Sequence, residues 1–484
     1  MTRTGDVDAI VVGSGPNGLA AAVTLARAGL SVRVHEAAAT PGGGARTEPL
    51  TLPGFRHDVC SAVHPMALAS PFFRAFGLAD RIDLRVPEIS YAHPLDGGRA
   101  GIAWHDLDRT VDGLGRDGRA WRRLLGPLVA HEAALTEFTA SSLVRMPRHP
   151  LVAARFGLRA LAQGGPAWNV GFRGEVAPAL LTGVAAHAIR PLPGVAPAGA
   201  GLVLAAHAHA RGWPIPIGGS GAITAALVDD LVRHGGEIVT DAAVEHLRDL
   251  PPSRAVLLDV TPRALDAIAG DRLPGGYRRA LRRFRHGDAA AKVDFALSGP
   301  VPWAHPDLAR AGTLHLGGPR EEIAAGERDV ARGRHPSSPY VLVSQPSAFD
   351  GSRAPAGHHA LWAYTHVPAG SGVDPTEAVT RQIERFAPGF RDLVLASAAR
   401  PATRLAAENP NHVDGDIAAG ATSLTQLVRR PVVARDPWRT PIAGVYLASA
   451  STPPGPGVHG LAGWHSAASA LRHEFGLGLP DLAP

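Results

Sequence analysis

Asp8-Ala-Ile-Val-Val-Gly-Ser-Gly-Pro-Asn-Gly18 decides the fold, together with Glu36 eighteen residues after the last glycine. Ala9 to Val12 is a short apolar run that reads as a buried strand. It feeds directly into Gly13-x-Gly15-x-x-Gly18, after which Leu19 to Ala28 has helical spacing. Val32 to Val34 reads as a second strand with Glu36 at its end. This strand, turn, helix and strand order is the context a dinucleotide site requires. Gly13 permits the tight turn, Gly15 lets backbone approach a pyrophosphate, and Gly18 allows close helix–strand packing. The helix N-terminus offers unpaired N–H groups and a partial positive charge to phosphates. Glu36 is placed to accept hydrogen bonds from a ribose.

Working outward, a second glycine cluster, Pro41-Gly-Gly-Gly-Ala-Arg-Thr47, follows the acid. It resembles the loop that flavoproteins of the glutathione-reductase-like superfamily place against the FAD diphosphate and ribityl chain. Gly444-Val-Tyr-Leu-Ala-Ser-Ala-Ser-Thr-Pro-Pro-Gly-Pro-Gly-Val-His-Gly460, with a helical pattern to Leu471, resembles the C-terminal FAD motif of phytoene-desaturase-like and amine-oxidase-like flavoproteins. Gly54 to Pro65, Gly212 to Ser220 and Glu408 to Asp416 narrow the resemblance. They are similar to the phytoene-desaturase-related branch named for a pyridine nucleotide-disulfide oxidoreductase domain, and the likeness spans nearly the whole chain.

The resemblance implies FAD as cofactor. Gly13, Gly15, Pro16, Asn17, Gly18, Glu36 and Ala37 would hold it at the first loop. Gly42, Gly43, Gly44, Arg46 and Thr47 would do so at the second. Val244 would touch the adenine through its backbone, and Ser449, Gly457, Val458, His459 and Gly460 would face the flavin. The implied fold class is α/β: a Rossmann-like, three-layer FAD-binding domain of the glutathione-reductase type with a discontinuous α+β substrate domain. Residues 1–70, 212–285 and 405–484 would build the first, and 71–211 and 286–404 the second.

Local patterns fill in this division. Ala222 to His234 is helical, Gly235-Gly236 stops it, and Glu237 to Thr240 is a strand; Ala255 to Asp259 is another. Residues 71–211 look mainly helical. Lys292 to Leu297, Ala311 to Leu316, Tyr340 to Ser344 and His359 to Tyr364 look like strands. Gly218-Gly-Ser-Gly221 imitates a second fingerprint, but Pro214 and Pro216 argue against a central strand before it. No separate NAD(P)H domain is expected.

The 484 residues suffice for two domains. Lys292 is the only lysine, so the basic balance rests on arginine, and a formal charge of only +5 implies no nucleic-acid partner. Cys60, the sole cysteine, favours a reducing compartment. The first strand begins within eight residues, and no run of eighteen apolar residues exists, so neither signal peptide nor membrane span is expected. These features point to a cytoplasmic protein. Ser141 to Leu161 is basic and amphipathic in its second half, which leaves two readings: a segment lying on a lipid surface, making a peripheral membrane contact, or a helical cap with its arginines in water. Composition does not indicate an oligomeric state.

Three side chains are catalytic candidates. In Ala290 to Leu297, Lys292 and Asp294 share one strand face and Ala291, Val293, Phe295 and Leu297 the other. Lys292 resembles the strand lysine that holds a water near flavin N5 in amine-oxidase-like enzymes; the alternative is a Lys292–Asp294 neighbour pair on an exposed sheet face. His64, in Cys60-Ser-Ala-Val-His64, corresponds to the loop beside the isoalloxazine, and His459 adjoins the helix N-terminus aimed at the pyrimidine edge. His187, His207 and His209 read as core or surface histidines. No metal-ligand spacing occurs. The implied activity is dehydrogenation (desaturation) of a hydrophobic organic substrate by hydride transfer to flavin N5, with oxygen or a quinone as electron acceptor. A redox-neutral flavin isomerase and a flavin-bearing scaffold remain as alternatives.

Overall fold

Ala9–Val12 is buried at every position because it is the middle strand of a five-stranded parallel sheet. The computed structural model describes residues 7–484; the reading that no leader precedes this strand falls partly on residues 1–6, outside the described residues. The order across the sheet is Val445–Leu447, Ala255–Leu258, Ala9–Val12, Val32–His35 and Glu237–Val239. Ala9 and Val11 pack against the helices Pro16–Arg27, Gly221–Arg233 and Leu461–Ala470. Ile10 and Val12 face the opposite layer, with Leu265 and Ile268 of the helix Pro262–Ala269. Burial on both faces is why such strands appear as unbroken apolar runs rather than alternating ones. The chain is a mixed α/β protein with a Rossmann-like core.

The glycine turn works by contact as well as by torsion. Gly13 has φ +95°, and a Cβ on Gly18 would stand 2.0 Å from the Gly13 carbonyl oxygen. Any side chain there would lift the first helical turn off the loop.

A second sheet of seven strands runs Val394–Arg400, Ala289–Leu297, His359–Val367, Val341–Ser344, Thr313–Leu316, Ile89–Leu95, Arg99–Trp104. Its neighbours are antiparallel except Thr313–Leu316 beside Ile89–Leu95. The helix Thr376–Phe386 covers one face, setting Val379, Ile383 and Phe386 against Val293, Phe295 and Leu361. Leu342, Trp362 and Tyr364 project from the other face. That alternation decides which side chains reach the site described below.

Residues 71–211 are mainly helical, as expected, but they also supply strands that the local pattern does not show. Ile89–Leu95 and Arg99–Trp104 form a hairpin that completes the sheet edge. Pro94 inside the first strand and the scarcity of β-branched residues in the second hide it from local pattern. Ser141 to Leu161 contributes the helix Pro150–Gly164, which packs as a cap on Val195–Ala210. Phe156 and Ala160 of this helix turn inward, whereas Leu151 and Leu158 are 73% and 67% exposed.

Candidate active site

One cavity of about 1190 Å³ runs from the glycine loop to the seven-stranded sheet. Its first limb carries the polar groups beside the glycine loop. Gly13, Gly15, Pro16, Asn17, Glu36, Ala37 and Val244 form its wall, with His35 and Asp259. Its middle is bounded by Gly43, Gly44, Arg46, Cys60, His64, Ser449, Gly457, Val458 and His459. Beyond them lies an apolar limb between the helices Pro150–Gly164 and Val195–Ala210 and the sheet face bearing Leu342, Trp362 and Tyr364. Gly18, Gly42, Thr47, Gly460 and Lys292 do not reach the wall.

In the polar limb, Glu36 is held rigidly. Its Oε2 accepts from Ser14 N–H (2.8 Å) and the Ser14 hydroxyl (2.5 Å), and its Oε1 from Ala38 N–H (2.8 Å). A carboxylate fixed this way keeps lone pairs for further donors without side-chain reorganisation. Asn17 Oδ1 and His35 Nε2 are enclosed polar atoms of this wall with no protein partner. Buried polar atoms are normally paired. A ligand of several hydrogen-bonding groups, such as an adenine dinucleotide, therefore fits the limb.

Asp259, at the end of the strand Ala255–Leu258, was not singled out in the sequence. Its Oδ2 accepts from Gly18 N–H at 2.9 Å, and a Cβ on Gly15 would lie 2.9 Å from the same oxygen. The absent Gly15 side chain thus makes room for a carboxyl group as well as for a ligand. Burial, opposed by the Gly18 hydrogen bond and reinforced by nearby Glu36, pushes the Asp259 carboxyl up to about 7. A second acid just past the strand was legible, but its approach to the loop across 241 residues was not.

Thr47 and Asp58 hold the second glycine loop from behind. Asp58 Oδ1 accepts from the Thr47 hydroxyl (2.8 Å) and Ser220 N–H (2.8 Å), while Oδ2 accepts from Arg353 Nη2 (2.5 Å). Gly221 N–H donates to Thr47 Oγ1 at 3.0 Å, and Gly218 N–H to Asp350 Oδ2 at 2.8 Å. The Gly218 loop consequently braces the second glycine loop. The two-residue strand before it, Ile215–Pro216, joins only a two-stranded sheet.

The three catalytic candidates occupy different settings. Ser220 gives its hydroxyl proton to Ser61 O, so His64 Nε2–H donates to Ser220 Oγ at 2.9 Å. Nδ1 of His64 is then a bare acceptor, enclosed and unpartnered. Burial brings His64 down to about 4, so the ring is neutral at neutral pH. Both ring nitrogens of His459 are committed: Nδ1 accepts from Leu461 N–H at 3.0 Å and Nε2–H donates to Gly455 O at 3.2 Å. The ring closes the N-terminal turn of the helix Leu461–Ala470.

Lys292 lies on the cavity-side face of the large sheet, but behind the wall. The reading of an exposed Lys292–Asp294 pair is corrected: the lysine is 2% and the aspartate 0% exposed. Lys292 Nζ pairs with Asp294 Oδ2, which also has Arg400 Nη1 at 3.4 Å. Burial lowers the lysine and raises the aspartate, each opposed by its partner. Cys60 lines the cavity nearby, and burial pushes its thiol up to about 11. Among the described residues no group of three or more His, Cys, Asp or Glu side chains gathers as a metal set, and no helix is long and apolar enough to cross a membrane.

Residues 11–76 match the family described as an NAD(P)-binding Rossmann-like domain. Across 96% of this chain and 94% of the relative, the sequence is 25% identical to the Rattus norvegicus pyridine nucleotide-disulfide oxidoreductase domain-containing protein 2. The structure resembles cyclohexylamine oxidase from Brevibacterium oxydans IH-35A (TM-score 0.56, 15% identity, 96% of this chain and 98% of that one). A putative protoporphyrinogen oxidase from Exiguobacterium sp. 255-15 superposes similarly (TM-score 0.55, 17% identity, 96% and 98%). At these identities the likeness to solved structures is one of fold.

Proposed function

We propose that this chain, a relative of the pyridine nucleotide-disulfide oxidoreductase domain-containing proteins built on the amine-oxidase-type oxidoreductase fold, is an FAD-dependent dehydrogenase that desaturates a hydrophobic organic substrate. The supporting observation is the continuity of the cavity: a polar limb suited to a dinucleotide opens into an apolar limb under Trp362 and Tyr364. FAD, when bound, supplies a two-electron acceptor for hydride. Glu36 holds the ribose, and the N-terminus of the helix Pro16–Arg27 stabilises the diphosphate electrostatically. Arg46, on the wall beside Gly43 and Gly44, adds a fixed positive charge. The apolar limb binds the substrate body and excludes water from the reacting carbon atoms.

The purified protein is expected to be yellow and to release FAD, not FMN, on denaturation; a colourless protein that cannot be reconstituted with FAD overturns the reading. Anaerobic bleaching of the flavin by an apolar substrate is the direct test of dehydrogenation. Glu36→Ala should weaken FAD retention by about 1–3 kcal/mol, the range for lost charged hydrogen bonds, as measured by equilibrium dialysis.

The Gly218 loop is occupied with Asp350, Thr47 and Asp58, which supports a chain without a second nucleotide site. Stopped-flow mixing with NADH or NADPH should therefore reduce the flavin slowly or not at all, leaving oxygen or a quinone as oxidant. Fast, saturable reduction by either nicotinamide would move the protein into the reductase class.

A further inference from the structure

His187 sits on the wall of the apolar limb, on the single turn Ala186–Ala188 that follows the helix Val176–Ala185. Its Nε2 lies 2.8 Å from Nε2 of His315, a fully buried residue of the strand Thr313–Leu316. The His315 ring is caged by Tyr91, Trp213 and Tyr340, with centroids 5.3, 6.1 and 6.1 Å away. Its Nδ1 is enclosed and has no partner. Nδ1 of His187 also lacks a protein partner among the described residues, but it is not among the enclosed atoms. The backbone here is held in a costly shape: Ile189, on the same wall, has φ +48°, which a β-branched residue rarely adopts.

The 2.8 Å contact holds one proton, and its owner sets both rings. If His187 donated, His315 would carry its other proton on Nδ1, an N–H sealed in an aromatic cage without an acceptor. If His315 donates, the sealed atom is a bare nitrogen, and His187 carries its proton on the accessible Nδ1. Orphaned buried N–H groups are the rarer of the two situations. Burial brings His187 down to about 3, so this ring is a neutral donor at ordinary pH.

We propose that His187 presents Nδ1–H as a polar anchor of the apolar limb, and that the substrate carries one uncharged acceptor oxygen, a carbonyl or hydroxyl, on an otherwise hydrocarbon body. A neutral imidazole donor suits such an oxygen, whereas an ammonium group would find no acceptor at this atom. The inference rests on the dehydrogenase reading above for the meaning of the limb, and it adds the chemistry of the molecule that enters it.

The test uses FAD-loaded protein and three ligands of one shape: 4-phenylcyclohexanone, 4-phenylcyclohexanol and phenylcyclohexane, with binding read by perturbation of the flavin spectrum and by calorimetry. The ketone and alcohol should bind at least tenfold more tightly than the hydrocarbon. His187→Leu should remove that preference while leaving hydrocarbon binding unchanged, and His187→Gln, which keeps an N–H donor, should retain part of it. Melting curves establish that both variants are folded. Equal binding of ketone and hydrocarbon, no measurable ketone binding, preference for the alcohol alone, or a preference that survives His187→Leu overturns the inference. Failure of the dehydrogenase reading shows separately, as protein that takes up no flavin or as flavin that no substrate bleaches.

Discussion

Lys292→Met is expected to lower the unfolding free energy by about 3 kcal/mol, the low end for breaking a buried ion pair. The substitution strands Asp294, which has no exposed surface and keeps only Arg400 Nη1 at 3.4 Å as a charged partner. His57 Nδ1 is 3.5 Å from Asp294, but burial, the largest cause of its lowered pKa, persists without Lys292 and disfavours a compensating positive charge on that ring. Removing both charges together, as Lys292→Met with Asp294→Asn, should restore most of the loss, because the desolvation of two ions is then no longer incurred. Chemical denaturation of the wild type, both single variants and the double variant closes the cycle. The same four proteins test the proposal that Lys292 also serves the flavin chemistry. If it does, the double variant recovers stability while its flavin remains slow to reduce. Equal reduction rates in all four would make Lys292 a purely structural ion.

Asp259→Asn carries the second large effect and has the opposite sign. The folded-state carboxyl is raised from 3.8 to about 7, chiefly by burial. Its proton is held more tightly in the folded chain, so this residue's contribution to stability is complete below pH 3.8 and is lost as pH rises through about 7. A shift of that size corresponds to up to about 4 kcal/mol. Asparagine keeps an oxygen to accept from Gly18 N–H and has no charge to bury. The variant should therefore gain stability over wild type at pH 8.5 and little at pH 4, as measured by urea unfolding at both values. It should also retain FAD better at alkaline pH, since an ionised Asp259 beside the glycine loop repels a diphosphate. A pH-independent difference between variant and wild type would show that Asp259 stays in one protonation state.

The resemblance to flavoproteins and the first limb of the cavity were legible because their signals are local. Gly13, Gly18 and Glu36 fall within one strand–helix–strand unit, where spacing alone dictates contact. The hairpin Ile89–Leu95 and Arg99–Trp104 was not legible. Its pairing partner Thr313–Leu316 lies more than two hundred residues away, and a central strand containing Pro94 imitates a loop. For a similar reason the sequence reads His187 only as a core or surface histidine. In Ala-Ala-His-Ala it has no pattern of its own, and it gains meaning only when the sheet brings His315 to 2.8 Å.

By itself the sequence determined the parallel sheet, the glycine turn and the acid at its end, since backbone torsion and short-range periodicity settle those within about thirty residues. Only the tertiary structure decided that Lys292 is buried rather than exposed, that His459 closes a helix, that Asp259 shares the glycine loop, and that a histidine faces the apolar limb. Each of these depends on the low-dielectric surroundings supplied by distant segments. Burial changes the charge state and hydrogen-bond demand of a side chain without changing its identity in the sequence.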